Sequence, residues 1–259
     1  MASRQRGRGA SAAPGQSVED VAALIGHELR TPLTVLYSCL QLLDRTLPDD
    51  SGAARHYLEE ALAEARQLNL LTGQLVEAAR LHDGLLQTRR DPLDLNDLVR
   101  GAATQAHGVA RGQHIAVSPA DRPVMVLGDR RYLERALVNL LSNAITYAPG
   151  TERIDVRVEV HGAEAAVHVT DYGPGLATDD AEQLTQAFYQ APQTNRPSRG
   201  GLGLGLYLSS EFARLHGGRL DVHSAPGRGS TFSLLLPLAE QRVHEEVSAP
   251  AGSGNTTVH

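Results

Sequence analysis

Residues 26–34 read GHELRTPLT and set His27 beside a carboxylate, Glu28, with Thr31 four positions on and Pro32 directly after it. A neutral imidazole has a free nucleophilic nitrogen, and when a bond forms there the opposite ring nitrogen becomes acidic. A carboxylate next to it is placed to take that proton. An exposed histidine on a helix is usually only solvated. That reading suits His56 or His82, but leaves the glutamate, the threonine and the interior proline beside His27 unexplained.

A second group of residues points to a ligand carrying phosphate. In VHVTD, Val167, Val169 and Asp171 share one face of a strand by period two, so Asp171 is aimed at an apolar environment. A carboxylate there is costly without a donor, and an adenine amino group would supply one. Asn139, Asn143 and Tyr147 stand at i, i+4 and i+8 of a helical pattern. Their amides offer neutral oxygens to a hard cation and N–H donors to phosphate, which suits Mg²⁺ held mainly by a nucleotide and water. In GGLGLGL, residues 200–206, Gly201, Gly203 and Gly205 let backbone amides approach phosphate oxygens at the start of a helix.

Two regions of different texture must position these residues. From Val18, Ile25, Leu29, Leu36, Leu40, Leu43 and Leu47 recur at helical steps until LPDDSG breaks the pattern. Leu58, Ala61, Ala65, Leu68, Thr72, Leu75 and Ala79 continue it to about Leu86, giving an antiparallel helical hairpin. His27 lies about 200° from Ile25 and Leu29 around the helix, on a polar face with Thr31, Thr34, Ser38 and Gln41. Such a hairpin has too little core alone, so two copies are expected to pair as a four-helix bundle.

After RRDPLDL come a helix from Asn96 to His107 and strands at Ile115–Ser118 and Val124–Leu127. A helix from Asp129 to Tyr147 and strands at Ile154–Val160 and Ala165–Thr170 follow. Leu176 to Gly200 is too long for an ordinary connection and reads as a lid anchored by Phe188. A helix from Leu202 to Leu215 and the hairpin RLDVHSAPGRGSTFSLLLP close the pattern. The alternation suggests an α/β sandwich rather than a doubly wound parallel sheet. The expected organisation is a disordered basic arm at 1–16, the hairpin at 17–90, the α/β domain at 91–240 and a disordered tail at 241–259.

Composition narrows the function. A net charge of −6 argues against a nucleic-acid binder. No run reaches the roughly 20 apolar residues of a membrane span, and no signal-peptide segment is visible, so membrane insertion is not expected and the cytoplasm is. The lone cysteine, Cys39, sits among leucines and reads as a packed thiol.

The residues 27–34 resemble the phosphoacceptor box of two-component sensor histidine kinases. The family's other boxes follow in order: LVNLLSNAITYAP at 137–149, DYGPG at 171–175, AFYQ at 187–190, GGLGLGL at 200–206 and GSTFSLLLP at 229–237. The resemblance covers Val18 to Pro237. It implies a dimerisation and histidine-phosphotransfer hairpin followed by a GHKL-type ATPase domain, using ATP and Mg²⁺.

By the same resemblance His27 takes the γ-phosphoryl group of ATP, Glu28 is the base, and Thr31 positions water when a partner is dephosphorylated. Asp171 reads the adenine amine, Asn143 holds the metal, Asn139 supports the phosphates, Tyr147 packs on the base, and Gly173 and Gly175 shape the nucleotide turn. The phosphoryl group then passes to an aspartate of a response regulator receiver domain. Thr146, Gln190 and Tyr172 stand where the family often has lysine, arginine and asparagine, which thins the positive charge near phosphate. Arg196 and Arg199 are the lid's cations, and Arg199, nearer Gly201, is the candidate to replace it. The alternatives are an ATP-binding pseudokinase that scaffolds a regulator, or another GHKL ATPase; the intact Glu28, Asn143 and Asp171 speak against the first and the histidine box against the second.

Overall fold

A computed structural model describes residues 18–46, 51–107, 112–148, 150–191 and 201–239. The expected arm, the tail, Arg196 and Arg199 lie outside them, as do the side chains of His27 and Glu28. The chain divides into two compact units between Leu71 and Thr72.

The first unit is helical. α1 spans Val18–Thr46 and passes through Pro32 without a break, and α2 begins at Ser51 and ends at His82, so the division falls within α2. Cys39 Sγ lies 3.5 Å from Glu60 Oε2, which pairs positions on either side of the turn and makes the helices antiparallel. Pro32, Cys39, Ala61 and Leu71 are buried, with Leu36, Leu43, Tyr57 and Leu68 partly so. This seam repeats every three or four residues. Leu40 and Leu58, expected on the buried stripe, are instead 49% and 46% exposed. Leu33, Tyr37 and Leu62 join them outside, so one hairpin leaves a second apolar face uncovered.

α2 stops four residues short of the Leu86 expected from periodicity, at a glycine. Gly84 has φ +66°, Gly84 N–H bonds Leu81 C=O and Leu85 N–H bonds Arg80 C=O. This is the Schellman closure, for which a residue without Cβ is suited.

In the second unit β1 (Asp91–Asp94) pairs antiparallel with β3 (Met125–Gly128). A five-stranded sheet runs β2-β4-β5-β7-β6, from β2 (His114–Ser118), β4 (Arg153–His161), β5 (Glu164–Asp171), β6 (Arg219–Ser224) and β7 (Ser230–Pro237). Its pairs are antiparallel except β2 with β4, which is parallel because the connection between them crosses through a helix. That helix is α4 (Arg130–Tyr147); with α3 (Leu95–His107) and α6 (Gly205–Leu215) it covers one face of the sheet. Leu98, Leu133, Leu137, Leu140, Ile154, Val167, Val169 and Leu234 are among the buried residues that fill the layer between. The result is the two-layer α/β sandwich expected from the sequence.

α4 starts where its sequence says it should. Asp129 is its N-cap, with Oδ1 accepting from Arg131 N–H at 3.1 Å. His216, 2% exposed at the end of α6, accepts from Asp129 N–H through Nε2 at 2.9 Å, and Nδ1 lies 2.6 Å from Phe212 C=O. Those two bonds fix the tautomer with the proton on Nδ1. A Cβ on Gly128 would meet Leu133 Cδ1 at 2.6 Å and His216 Cδ2 at 2.9 Å, so the corner is packed shut. His216→Ala would leave a buried backbone N–H unpaired and open a cavity; a loss of roughly 2–5 kcal/mol is expected in urea unfolding. A loss below about 1 kcal/mol would mean that the corner relaxes freely.

Candidate functional site: a nucleotide-type cleft and a histidine helix

β5 ends at the candidate cleft. Val167 and Val169 are fully buried and Asp171, next on that face, is 4% exposed, as the alternation requires. Its Oδ1 accepts from Gly173 N–H at 2.9 Å, and the N–H and hydroxyl of Ser230 on the neighbouring strand also bond the carboxylate. Burial nevertheless pushes the carboxyl above its ordinary value, with those bonds acting the other way. A carboxyl group is thereby held at the edge of an apolar layer.

The DYGPG turn is tight on both sides. A Cβ on Gly173 would lie 2.9 Å from Ala148 Cβ, the residue that caps α4, and 3.0 Å from Asp171 Oδ1. Gly175, at φ +65°, would place a Cβ 2.0 Å from Ala225 C=O in the β6–β7 turn. Tyr172 points elsewhere: its hydroxyl donates to Asp155 Oδ2 at 2.6 Å, so its bulk does not crowd Asp171.

α4 links this turn to the glycine loop. Asn139 Nδ2 donates to Gly205 C=O at 3.3 Å and approaches Ser209 Oγ at 3.4 Å, which ties α4 to the first turn of α6. Asn143 is half-buried one turn on, and Tyr147, a further turn on, is 48% exposed. Eight residues of helix cover about 12 Å. Asp171 and Gly173 thus stand at one end of a polar line whose other end is Gly205.

The glycine loop precedes α6 rather than forming its first turn as expected, because Gly203 has φ +66°. A Cβ there would meet Tyr189 C=O at 2.5 Å. Gln190 Nε2 donates to Gly201 C=O at 2.6 Å. The AFYQ segment therefore braces the loop through backbone contacts, and glutamine at position 190 does so without positive charge. The supposed lid contains a short helix, α5 (Thr178–Gln183), with Ala181 buried and Tyr189 hydroxyl donating to Asp180 at 2.6 Å. Phe188 is half-buried at φ +64°.

Ser230 and Gly229 are the residues that sequence reasoning passed over. A Cβ on Gly229, φ +76°, would fall 2.1 Å from Asp171 C=O. The GST run was visible as a motif, but only the strand register Asp171↔Ser230 reveals what it serves.

On the histidine helix, Thr31, Thr34, Ser38 and Gln41 are all exposed, as the polar-face reading requires. Thr34 and Ser38 return their hydroxyls to the carbonyls of Arg30 and Thr34 at 2.8 and 2.9 Å.

Known proteins carry the same two parts. Residues 17–84 match the His Kinase A (phospho-acceptor) domain, and residues 128–240 match the histidine kinase-, DNA gyrase B- and HSP90-like ATPase domain. The sensor-like histidine kinase SenX3 of Mycobacterium tuberculosis is 33% identical over 88% of this chain and 55% of its own length. The chain thus spans about half the length of the curated relatives it matches. ShkA, solved full length in complex with AMPPNP, is 26% identical with a TM-score of 0.62, over 85% of this chain and 46% of that one. Histidine kinase ThkA, solved with the response regulator protein TrrA, shares the fold at 19% identity and a TM-score of 0.63, over 86% of this chain and 62% of its own. No helix among the described residues is long and apolar enough to cross a membrane. With both matched domains in order and its relatives so described, the chain belongs to the sensor histidine kinases, as a transmitter module of phospho-acceptor hairpin and ATPase-type domain.

Proposed function

We propose that this chain binds ATP, phosphorylates itself on His27 and passes the phosphoryl group to an aspartate of a response regulator receiver domain. The observation that carries the reading is the buried, hydrogen-bonded Asp171 at one end of α4 with a glycine loop fixed at the other. In this reading Asp171 accepts from the adenine amine, Tyr147 lies along the base, and Asn139 and the amides of Gly201, Gly203 and Gly205 face the phosphates. The turn at Gly173 and Gly175 brings backbone close to the base. The span of about 12 Å along α4 suits a nucleotide extended from base to phosphates.

The donor set fits a hard ion weakly held by protein. Asn143 contributes a neutral oxygen on the cleft side of α4, and Mg²⁺ there would be held mostly by phosphate and water. When bound, the ion supplies positive charge against the phosphate oxygens.

Catalysis then falls to the hairpin. A free nitrogen of the neutral His27 imidazole bonds the γ-phosphorus as the bond to the β–γ bridging oxygen breaks, leaving ADP. The other ring nitrogen gives its proton to Glu28. The exposed second apolar face of the hairpin supports pairing of two copies as a four-helix bundle. The reading places the chain in the cytoplasm, where ATP and receiver domains are available. Incubation with γ-labelled ATP and Mg²⁺ should give an acid-labile, base-stable phosphoprotein. No incorporation, with ATP still bound, would make the chain a pseudokinase.

Two variants separate roles. Thr31→Ala should leave autophosphorylation within about twofold and weaken dephosphorylation of the phosphorylated regulator, because the hydroxyl orients water and plays no part in attack on ATP. Equal loss of both reactions would assign Thr31 a structural role beside Pro32. Arg199→Ala should lower the phosphorylation rate roughly ten- to thousandfold with a smaller change in ATP affinity, as for a cation acting on the transition state. A rate within about twofold of wild type would place that charge elsewhere.

A further inference from the structure

We propose that the outer face of the sheet carries a site for a divalent transition-metal ion of the zinc class, with Glu159, His161 and His168 as its ligands. This face is opposite the helices. On β4, Val156 and Val158 point into the core, so Glu159 and His161 point out by alternation. The register Glu159↔Ala166 and Arg157↔His168 sets His168 diagonally beside Glu159, with the small Ala166 directly opposite the carboxylate.

The three side chains converge: their ligand atoms all lie within 4.8 Å of one another. His161 Nε2 is 3.1 Å from Glu159 Oε2, and His168 Nε2 is 3.9 Å from the same oxygen. Tetrahedral Zn²⁺ with bonds of about 2.0–2.1 Å needs donors roughly 3.3 Å apart. One pair meets that already, and the others reach it by small rotations of partly exposed side chains.

An exposed His–Glu contact alone is usually no more than a surface pair. Here His168 Nδ1 also lies 2.8 Å from Ser233 Oγ on β7. That contact holds the ring with Nε2 on the carboxylate side, and with the hydroxyl accepting from Nδ1–H it would leave Nε2 free for a metal, the support that metal-binding histidines ordinarily have. Two imidazoles and one carboxylate suit zinc or its borderline neighbours rather than magnesium or calcium, and leave a coordination position open. The ion would staple β4 to β5. His168 and Asp171 lie on opposite faces of β5, so metal uptake is separable from the nucleotide cleft.

The test is titration of the metal-stripped, tag-free chain with Zn²⁺ by calorimetry, with Co²⁺ uptake followed by visible absorption. One ion per chain is expected, together with a rise in melting temperature and the strong visible band of tetrahedral Co²⁺. His161→Ala and His168→Ala should each weaken uptake at least tenfold and remove the band. Ser233→Ala should weaken it about ten- to a hundredfold through loss of orientation, and His82→Ala should leave it unchanged. His161 is largely exposed, so its variant decides the matter if His168→Ala fails to fold. Absence of saturable one-to-one uptake, or uptake of unchanged affinity in His161→Ala, overturns the proposal.

Discussion

Asp171→Asn is expected to weaken ATP binding roughly ten- to a hundredfold while the domain still folds cooperatively. A hydrogen bond to a charged acceptor contributes about 1.5–3 kcal/mol, which is that range of affinity. The charge is held in place at a cost. Burial raises the Asp171 carboxyl above its ordinary value, so its contribution to stability is full below the unfolded pKa and is lost as pH rises through the folded one. Removing the ionisable group therefore removes a charge that burial disfavours, which offsets the acceptor lost to Ser230. The same shift should make ATP affinity of the wild type fall on acidification sooner than an ordinary carboxylate would allow. Calorimetric titration with ATP from acid to neutral pH, alongside urea unfolding, reads both. Unchanged ATP affinity in Asp171→Asn would remove this residue from the nucleotide site.

His27→Ala should abolish phosphorylation and leave ATP affinity within about twofold. The proposed nucleophile and the residues proposed to bind nucleotide belong to different compact units, so deleting the imidazole ring leaves Asp171 and the glycine loop as they are. His27→Ala lies on a helix, and alanine is the strongest helix former, so the variant keeps its local structure. Labelling that persists in it would place the acceptor elsewhere in the chain.

Much of the cleft was legible because it is built from local patterns. α4 could be read from its apolar period and the Asp129 cap, and the burial of Asp171 from the alternation in VHVTD. What escaped depends on partners distant in sequence. β1 is only four residues long and contains Pro92, so it carries little strand signal and exists through its pairing with β3. The parallel pairing of β2 with β4 cannot be inferred from turns, since no turn joins them. His216 carries no local signal, yet it ties the start of α4 to the end of α6.

The hairpin shows the opposite kind of error. Leu40 and Leu58 fit an apolar period and were placed on the inner stripe, but a helix in a four-helix bundle has apolar residues on two adjoining faces. Period alone does not say which of these faces its hairpin partner. Glycine carries a second demand that local pattern does not show: a Cβ at Gly203 or Gly175 would strike backbone of the chain itself, whatever ligand the loop approaches.

Mapping the phosphoryl group tests the central claim most directly. The full chain, incubated with γ-labelled ATP and Mg²⁺ and kept at alkaline pH, is digested and its phosphopeptides sequenced by tandem mass spectrometry. The account predicts a phosphohistidine at His27 in the peptide containing GHELR, formed in step with ADP. Label on another residue, or ADP formed with no phosphohistidine at His27, would contradict it.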